Sequence, residues 1–193
     1  DYIAWLQQQD LSSAEAFWRQ TLKGFTAPIV LNIADISHSS PSQTADYAEQ
    51  QIKLSEAATG RLQWLAQHHH VSMNTLVQGA WAILLSRYSA QGDVVFGATA
   101  AGRPPDLVES ESMLGLCINT LPVRVHVEPE AGLLAWLQAL QLQQAEARQY
   151  EYSPLVRVQG WSAIPAGLPL FESLVVFENY PARGTGQEWS ERL

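Results

Sequence analysis

Three consecutive histidines, His68 to His70, stand in the stretch LAQHHHVSMNTLVQGAW (Leu65–Trp81), beside an almost polar-free run. Imidazole titrates near neutral pH and ligates metals, so a general base and a metal site are the chemistries to weigh. On a helix, consecutive side chains point about 100° apart and cannot converge on one ion; chelation wants i, i+4 spacing. No carboxylate or cysteine follows at ligand spacing, so no metal site is expected. The remaining reading is the wet end of a helix, where positive charge is mildly favourable beside the last carbonyls.

Other reactive groups have weaker local support. Cys117 lies in the apolar run LGLCINTL, with nothing nearby in sequence to lower its pKa, and reads as a buried structural thiol. One cysteine makes no internal disulfide, which fits a reducing cytosol. Asp106, Glu109 and Glu111 read as a solvated loop rather than an acid/base pair. Gly97, Gly102 and Gly115 suit tight turns or close backbone approach; GATAAG lacks the Gly-Lys-Ser/Thr of a P-loop, and GxSxG is absent.

Composition narrows the partners. The 193 residues carry a formal charge of −8 and two lysines, Lys23 and Lys53, which argues against nucleic acid or an anionic membrane. Hydrophobic content of 47% with seven tryptophans indicates a globular chain able to bury a core. No signal peptide and no apolar run of about 18 residues is present. The chain opens on DYIAWLQQQD without an initiator methionine, which reads as a piece of something longer.

The elements that position these groups follow from periodicity. Ser12 and Glu15 have capping-box spacing for a helix reaching about Lys23. Phe25 to Thr44 reads as loop, and Asp46–Leu54 as an edge strand. Ser55 opens a helix ending near the histidines. The next helix, about Asn74 to Tyr88, is apolar around most of its circumference and should be buried on most sides, with Ser72, Asn74 or Thr75 as cap. Gly92-Asp93 turns into the short apolar strand DVVFGATA. AGRPP ends regular structure, LVESESM is a loop or short helix, and Leu114–Val127 reads as a long strand with Pro122 at a bulge or edge. A helix from about Leu133 to Tyr150 turns Leu133, Leu137 and Leu140 inward and its glutamines outward. An irregular stretch with one helical turn leads to a core strand, Leu170–Tyr180. Helices alternate with strands, so the class is α/β, a mixed β-sheet covered by helices.

Four segments carry a family resemblance. DYIAWL (1–6), VVFGATAAGRP (94–104), LGLCINTLPVRV (114–125) and LPLFESLVVFENYP (168–181) stand in order, with YEYSPLVRVQGWS before the last. Together they resemble the C-terminal lobe of a condensation domain from nonribosomal peptide synthetases. The resemblance implies one lobe of a two-lobed fold like chloramphenicol acetyltransferase, with the active site in a tunnel between lobes. The implied reaction is attack by the amine of an acceptor aminoacyl thioester on a donor acyl or peptidyl thioester, both carried on phosphopantetheine arms of carrier proteins. No cofactor bound directly by this chain is implied.

The family's catalytic motif, His-His-x-x-x-Asp-Gly, belongs to the N-terminal lobe. HHVSMNT, from His69 to Thr75, imitates it with Asn74 for the aspartate and Thr75 for the glycine, but at the wrong place in the order of segments. No catalytic residue is therefore expected here. The resemblance places Asn119 on the strand facing the tunnel, where its amide would bond a thioester or pantetheine arm; the plain alternative is a polar residue closing a strand. Arg103 would touch a phosphate or pantetheine, unless Gly-Arg-Pro merely fixes a turn. Trp161 would line the acceptor side, unless it is wedged in the core. Residues 1–181 are expected to form the lobe and 182–193 to begin a linker. Implied partners are the N-terminal lobe, peptidyl carrier domains and an adjacent adenylation domain, in the cytoplasm. An isolated lobe is expected to dimerise or to show an apolar face beside Asn119. Two rival readings are a non-catalytic carrier-docking module and a small acyltransferase completed by oligomerisation.

Overall fold

A computed structural model describes residues 2–29, 48–103, 107, 113–115 and 117–178. In chain order these form α1 (Tyr2–Gln7), α2 (Leu11–Thr21), α3 (Glu56–His68), α4 (Met73–Ser89), β1 (Asp93–Ala100), β2 (Asn119–His126), α5 (Leu133–Arg148), α6 (Leu155–Trp161) and β3 (Leu174–Val175). The strands make one mixed sheet in the order β2-β1-β3, with β1 antiparallel to β2 and parallel to β3. This is the α/β class expected from the alternation of elements.

The central strand is the continuous apolar run. Val94, Val95 and Phe96 are each at most 1% exposed, as a strand covered on both faces requires. β2 alternates instead: Leu121, Val123 and Val125 turn into the core. Its Pro122 pairs with Gly97, and β2 is an edge strand of the described sheet, where a missing N–H is tolerated. Gly97 in turn leaves room for a ring, since a Cβ there would sit 2.4 Å from Phe171 Cε2.

α2 packs its Ala14 and Trp18, with the C-cap residue Leu22, into the same core as Leu85, Leu140 and Val158. Trp18 and Ser153 are both fully buried, and Trp18 Nε1 donates to Ser153 Oγ at 2.9 Å. The cap of α2 is Asp10 and not Ser12: Asp10 Oδ1 accepts from the Ser12 N–H at 2.9 Å and from the Ser12 hydroxyl, and Oδ2 from Ser13 Oγ. A carboxylate accepts several bonds at once, so Asp outcompetes the capping box that starts two residues later. At the other end of α2, Arg124 Nη1 donates to the carbonyls of Thr21 and Lys23. The same guanidinium grips Asp93 in a two-pronged pair at 2.9 and 2.7 Å, joining α2, β1 and β2.

α4 and α5 meet closely at Gly79, where a Cβ would lie 2.6 Å from Leu137 Cδ2. Gln141, Gln143 and Gln144 of α5 do not simply face solvent, whereas Gln138 is exposed. Gln144 Nε2 donates to Gln78 Oε1, the Thr75 hydroxyl bonds Gln141 Oε1, and Gln143 Nε2 reaches the Arg124 carbonyl. Ser72 caps α4 by accepting from the Thr75 N–H, which places Thr75 inside the helix rather than at its start. α4 is therefore half polar where it is most buried, while Val77 and Leu84 are 41% and 47% exposed. They line an apolar groove of about 530 Å³ with Leu62, Trp81, Leu174 and Val176.

Other elements depart from the sequence pattern. Tyr2–Gln7, a stretch assigned no element from the sequence, forms α1. Residues 48–54 form no strand, and Asp46–Tyr47 lie outside the described residues. The strand expected from Leu114 starts only at Asn119, because Gly115 (φ +155°) and the close pass of Gly102 against the Cys117 carbonyl occupy the preceding stretch. Leu133, expected inside, is 56% exposed at the first turn of α5. The last strand shrinks to two residues, while Leu170 is buried and Phe171 packs against the core in its place. Asp106, Glu109, Glu111 and residues 182–193, expected to begin a linker, lie outside the described residues. Among the described residues, no helix is long and apolar enough to cross a membrane.

Candidate functional site

A cleft of about 800 Å³ opens where the C-terminal end of β1 meets α1, the end of α5 and the polar face of α4. Thr99 to Arg103 and Leu121 to Val123 form its floor, and Tyr2 and Trp5 together with Arg148, Gln149, Glu151 and Tyr152 one wall, with Gln78, Gln143 and Gln144 at the back. The wall at 149–152 is created by the ending of α5. Its last turn tightens through bonds from the N–H groups of Gln149 and Tyr150, and Ser153 N–H closes a turn onto the Tyr150 carbonyl at 3.0 Å.

Asn119 holds that turn in place. Its Nδ2 donates to the carbonyls of Glu151 (2.7 Å) and Ser153 (2.8 Å), and its Oδ1 accepts from the Thr120 N–H. The side-chain amide thus has both donors and its acceptor engaged within the protein. Tyr152 adds a second tether, its hydroxyl donating to the Asp10 carbonyl at 3.0 Å. Its ring meets Trp5 edge-on at 6.0 Å, and Trp5 stacks on Tyr2, also at 6.0 Å.

Electrostatics single out Glu151. It is half-buried in the cleft wall, and burial pushes its carboxyl above the ordinary value despite the opposing pull of the Arg148 guanidinium. The Tyr2 phenol is raised by burial and then by the charges of Cys117 and Glu151; the Tyr152 phenol is raised by burial, then by Asp10 and Tyr150.

The residues singled out by sequence fall in different places. Arg103 lines the cleft and donates from Nη1 to the Met113 carbonyl at 3.0 Å. Asn119 lies behind the cleft, acting on its wall. Trp161 closes α6 and packs against the main core, its carbonyl accepting from Arg19 Nη1; it is not among the cleft's lining residues. The histidines end α3: His68 stacks on Trp64 at 4.7 Å, His69 is the C-cap, and His70 takes a left-handed turn at φ +55°. Gln138 and Gln141 bond the His69 and His70 carbonyls, fixing that turn to α5. Cys117 is buried. Among the described residues, no three His, Cys, Asp or Glu side chains gather as a metal ion would need.

Sequence reasoning missed Tyr2, Trp5, Glu151 and Tyr152 as a group. The signal was present as aromatic residues in DYIAWL and YEYSP, but only the fold brings two segments some 145 positions apart to one wall.

A mixed sheet with helices around it and a cleft at one strand end defines an α/β module. Comparison with known proteins makes the assignment specific: the Condensation domain family model matches residues 1–192, and the chain belongs to that family. It is 52% identical over 186 residues to part of a linear gramicidin synthase polypeptide of Brevibacillus parabrevis, covering 96% of this chain and 4% of that protein. Of solved structures, it is similar to the X-domain from teicoplanin biosynthesis (TM-score 0.71, 27% identity, 87% of this chain and 37% of that one). It also shares its fold with the first condensation domain of the calcium-dependent antibiotic synthetase, solved with a substrate analogue (TM-score 0.68, 16% identity, 91% of this chain and 38% of that one). The chain thus spans a few per cent of the synthetase it matches and somewhat over a third of the structurally similar chains.

Proposed function

We propose that this chain is the C-terminal, acceptor-side lobe of a peptide-bond-forming condensation domain, contributing one wall of the tunnel and part of the carrier-protein docking surface. One observation carries the reading: among the described residues, none lining the cleft of this condensation-family chain is a histidine, while His68–His70 are spent on ending α3. The imidazole that assists the attacking amine then comes from an N-terminal lobe, and this chain alone is inactive.

In this reading the acceptor amine attacks the donor thioester carbonyl, the tetrahedral intermediate collapses, and the thiolate of the donor arm leaves with a proton. The chain's share is positioning, which can supply much of the rate when two tethered substrates are brought together. Arg103 touches the pantetheine arm or its phosphate, Asn119 shapes the tunnel through the carbonyls it holds, and Trp161 supports the acceptor side. The partners are the N-terminal lobe, peptidyl carrier domains and an adjacent adenylation domain, in the cytoplasm; the lobe covers 1–181, with a linker from 182.

The test is an amide-formation assay with two loaded carrier proteins. No product from the chain alone, and product on adding an N-terminal lobe bearing the His-His-x-x-x-Asp-Gly motif, is expected. Product from the chain alone would instead indicate an acyltransferase completed by self-association. Carrier binding never converted to turnover by the added lobe would indicate a docking module.

A further inference from the structure

We propose that Glu151, with the rings of Tyr2, Trp5 and Tyr152, forms a subsite for a primary ammonium group carried by the acceptor substrate. The inference rests on the condensation reading above and assigns a specificity-determining role within that cleft.

Glu151 is the one carboxylate among the described residues lining the cleft, and Arg103 and Arg148 are the other charged groups there. Arg103 is directed to the Met113 carbonyl at the floor. Arg148 is exposed and screened by solvent, so it compensates the half-buried carboxylate only in part, and the net push on Glu151 stays upward. A cation entering the cleft supplies the missing compensation. The rings line the same cleft, linked into one cluster by the Tyr2–Trp5 and Trp5–Tyr152 contacts at 6.0 Å, and Tyr152 follows Glu151 directly in the chain. Aromatic faces attract an ammonium within about 6 Å and shed water from it, which strengthens its pairing with the carboxylate. The subsite is also rigid. Asn119 fixes the Glu151 carbonyl and the Tyr152 hydroxyl is anchored on Asp10, so little order is lost on binding.

The ammonium has two possible sources, the α-amino group of the acceptor or an amine on its side chain, and three hydrolysis-resistant amide-linked ligands separate them. Alanyl-pantetheine carries the first, N-acetylornithinyl-pantetheine the second, and N-acetylalanyl-pantetheine neither. Calorimetric titration of the full chain should show at least one amine ligand binding roughly three- to thirtyfold tighter than the neutral one. That advantage should vanish in Glu151→Gln and shrink in Trp5→Leu, and the preferred ligand names the source. Equal binding of all three to the unmutated chain, or an advantage retained in Glu151→Gln, overturns the subsite while leaving the condensation reading intact. Failure of every pantetheine ligand to bind overturns both. The comparison within the unmutated chain decides the matter even where a variant does not fold.

Discussion

Asn119 and Glu151, thirty-two positions apart, are joined by a 2.7 Å bond from the asparagine amide to the glutamate carbonyl, with a second bond to Ser153 two residues on. A strand start is thereby fastened to the turn that forms one cleft wall. Removing the amide frees two carbonyls and loosens Glu151 and Tyr152 together. Asn119→Ala should cost about 1–3 kcal/mol in urea denaturation. Asn119→Asp, which sets a carboxylate against two carbonyls, should cost more at pH 7 than at pH 3. Equal costs at both pH values would deny the clamp.

The Arg124–Asp93 pair is the second fastening. The guanidinium side chain is 11% exposed and serves two helix-end carbonyls as well as the carboxylate. Lysine has no planar fork to reproduce this set. Arg124→Lys should lower stability by about 2 kcal/mol and Arg124→Ala by about 3 kcal/mol, read from thermal and urea unfolding.

Glycine substitutions should rank by what a methyl group meets. At Gly102 it would fall 1.7 Å from the Cys117 carbonyl oxygen, on a backbone with φ +60° that already disfavours a side chain. At Gly79 it meets the movable end of Leu137. Gly79→Ala should therefore cost about 1–2 kcal/mol by overpacking, and Gly102→Ala distinctly more. A reversed order in melting temperature would contradict the close pass of the two chain segments.

Two carboxyls should give opposite pH responses. Serine hydroxyls and the Ser12 N–H lower Asp10 from 3.8 to about 2. Its stabilising contribution is complete above 3.8 and fades as pH falls toward 2; Asp10→Asn, which keeps a cap but no charge, should flatten that acid limb. Glu151 is raised above 4.5, so the unfolded chain releases its proton first. Stability from this group is then lost as pH rises through 4.5 and its higher folded value, and stays lower beyond. Glu151→Gln should raise the urea midpoint at pH 7 relative to the parent, and much less at pH 4.

Much of this fold is legible in the residue order. The apolar run at 93–100, the Ser55 cap and the alternation from Leu121 to Val125 each map onto an observed element, because local pattern and burial agree there. Where they part, distant contacts decide. The glutamines of α5 look like a wet face until α4 is found to offer Thr75 and Gln78 as partners. Tyr2–Gln7 folds as a short helix on which Tyr2 stacks against Trp5 and Trp5 meets Tyr152. Ordered motifs carry the family resemblance, but the wall containing Glu151 is not readable from any one of them. Asn119 is visible as a polar residue on an important strand, yet its bonding partners belong to a turn that no spacing rule connects to it.

The row of amides between α4 and α5 has a consequence for how the two helices assemble. Leucine and alanine faces tolerate sliding, since one apolar contact replaces another at small loss. Gln78 and Gln144, or Thr75 and Gln141, satisfy each other at one alignment only, and a slip by a helical turn would strand the buried Thr75 and Gln78 away from their partners and from water. The pair therefore carries its own ruler, and the back of the cleft is set to that measure before any substrate arrives.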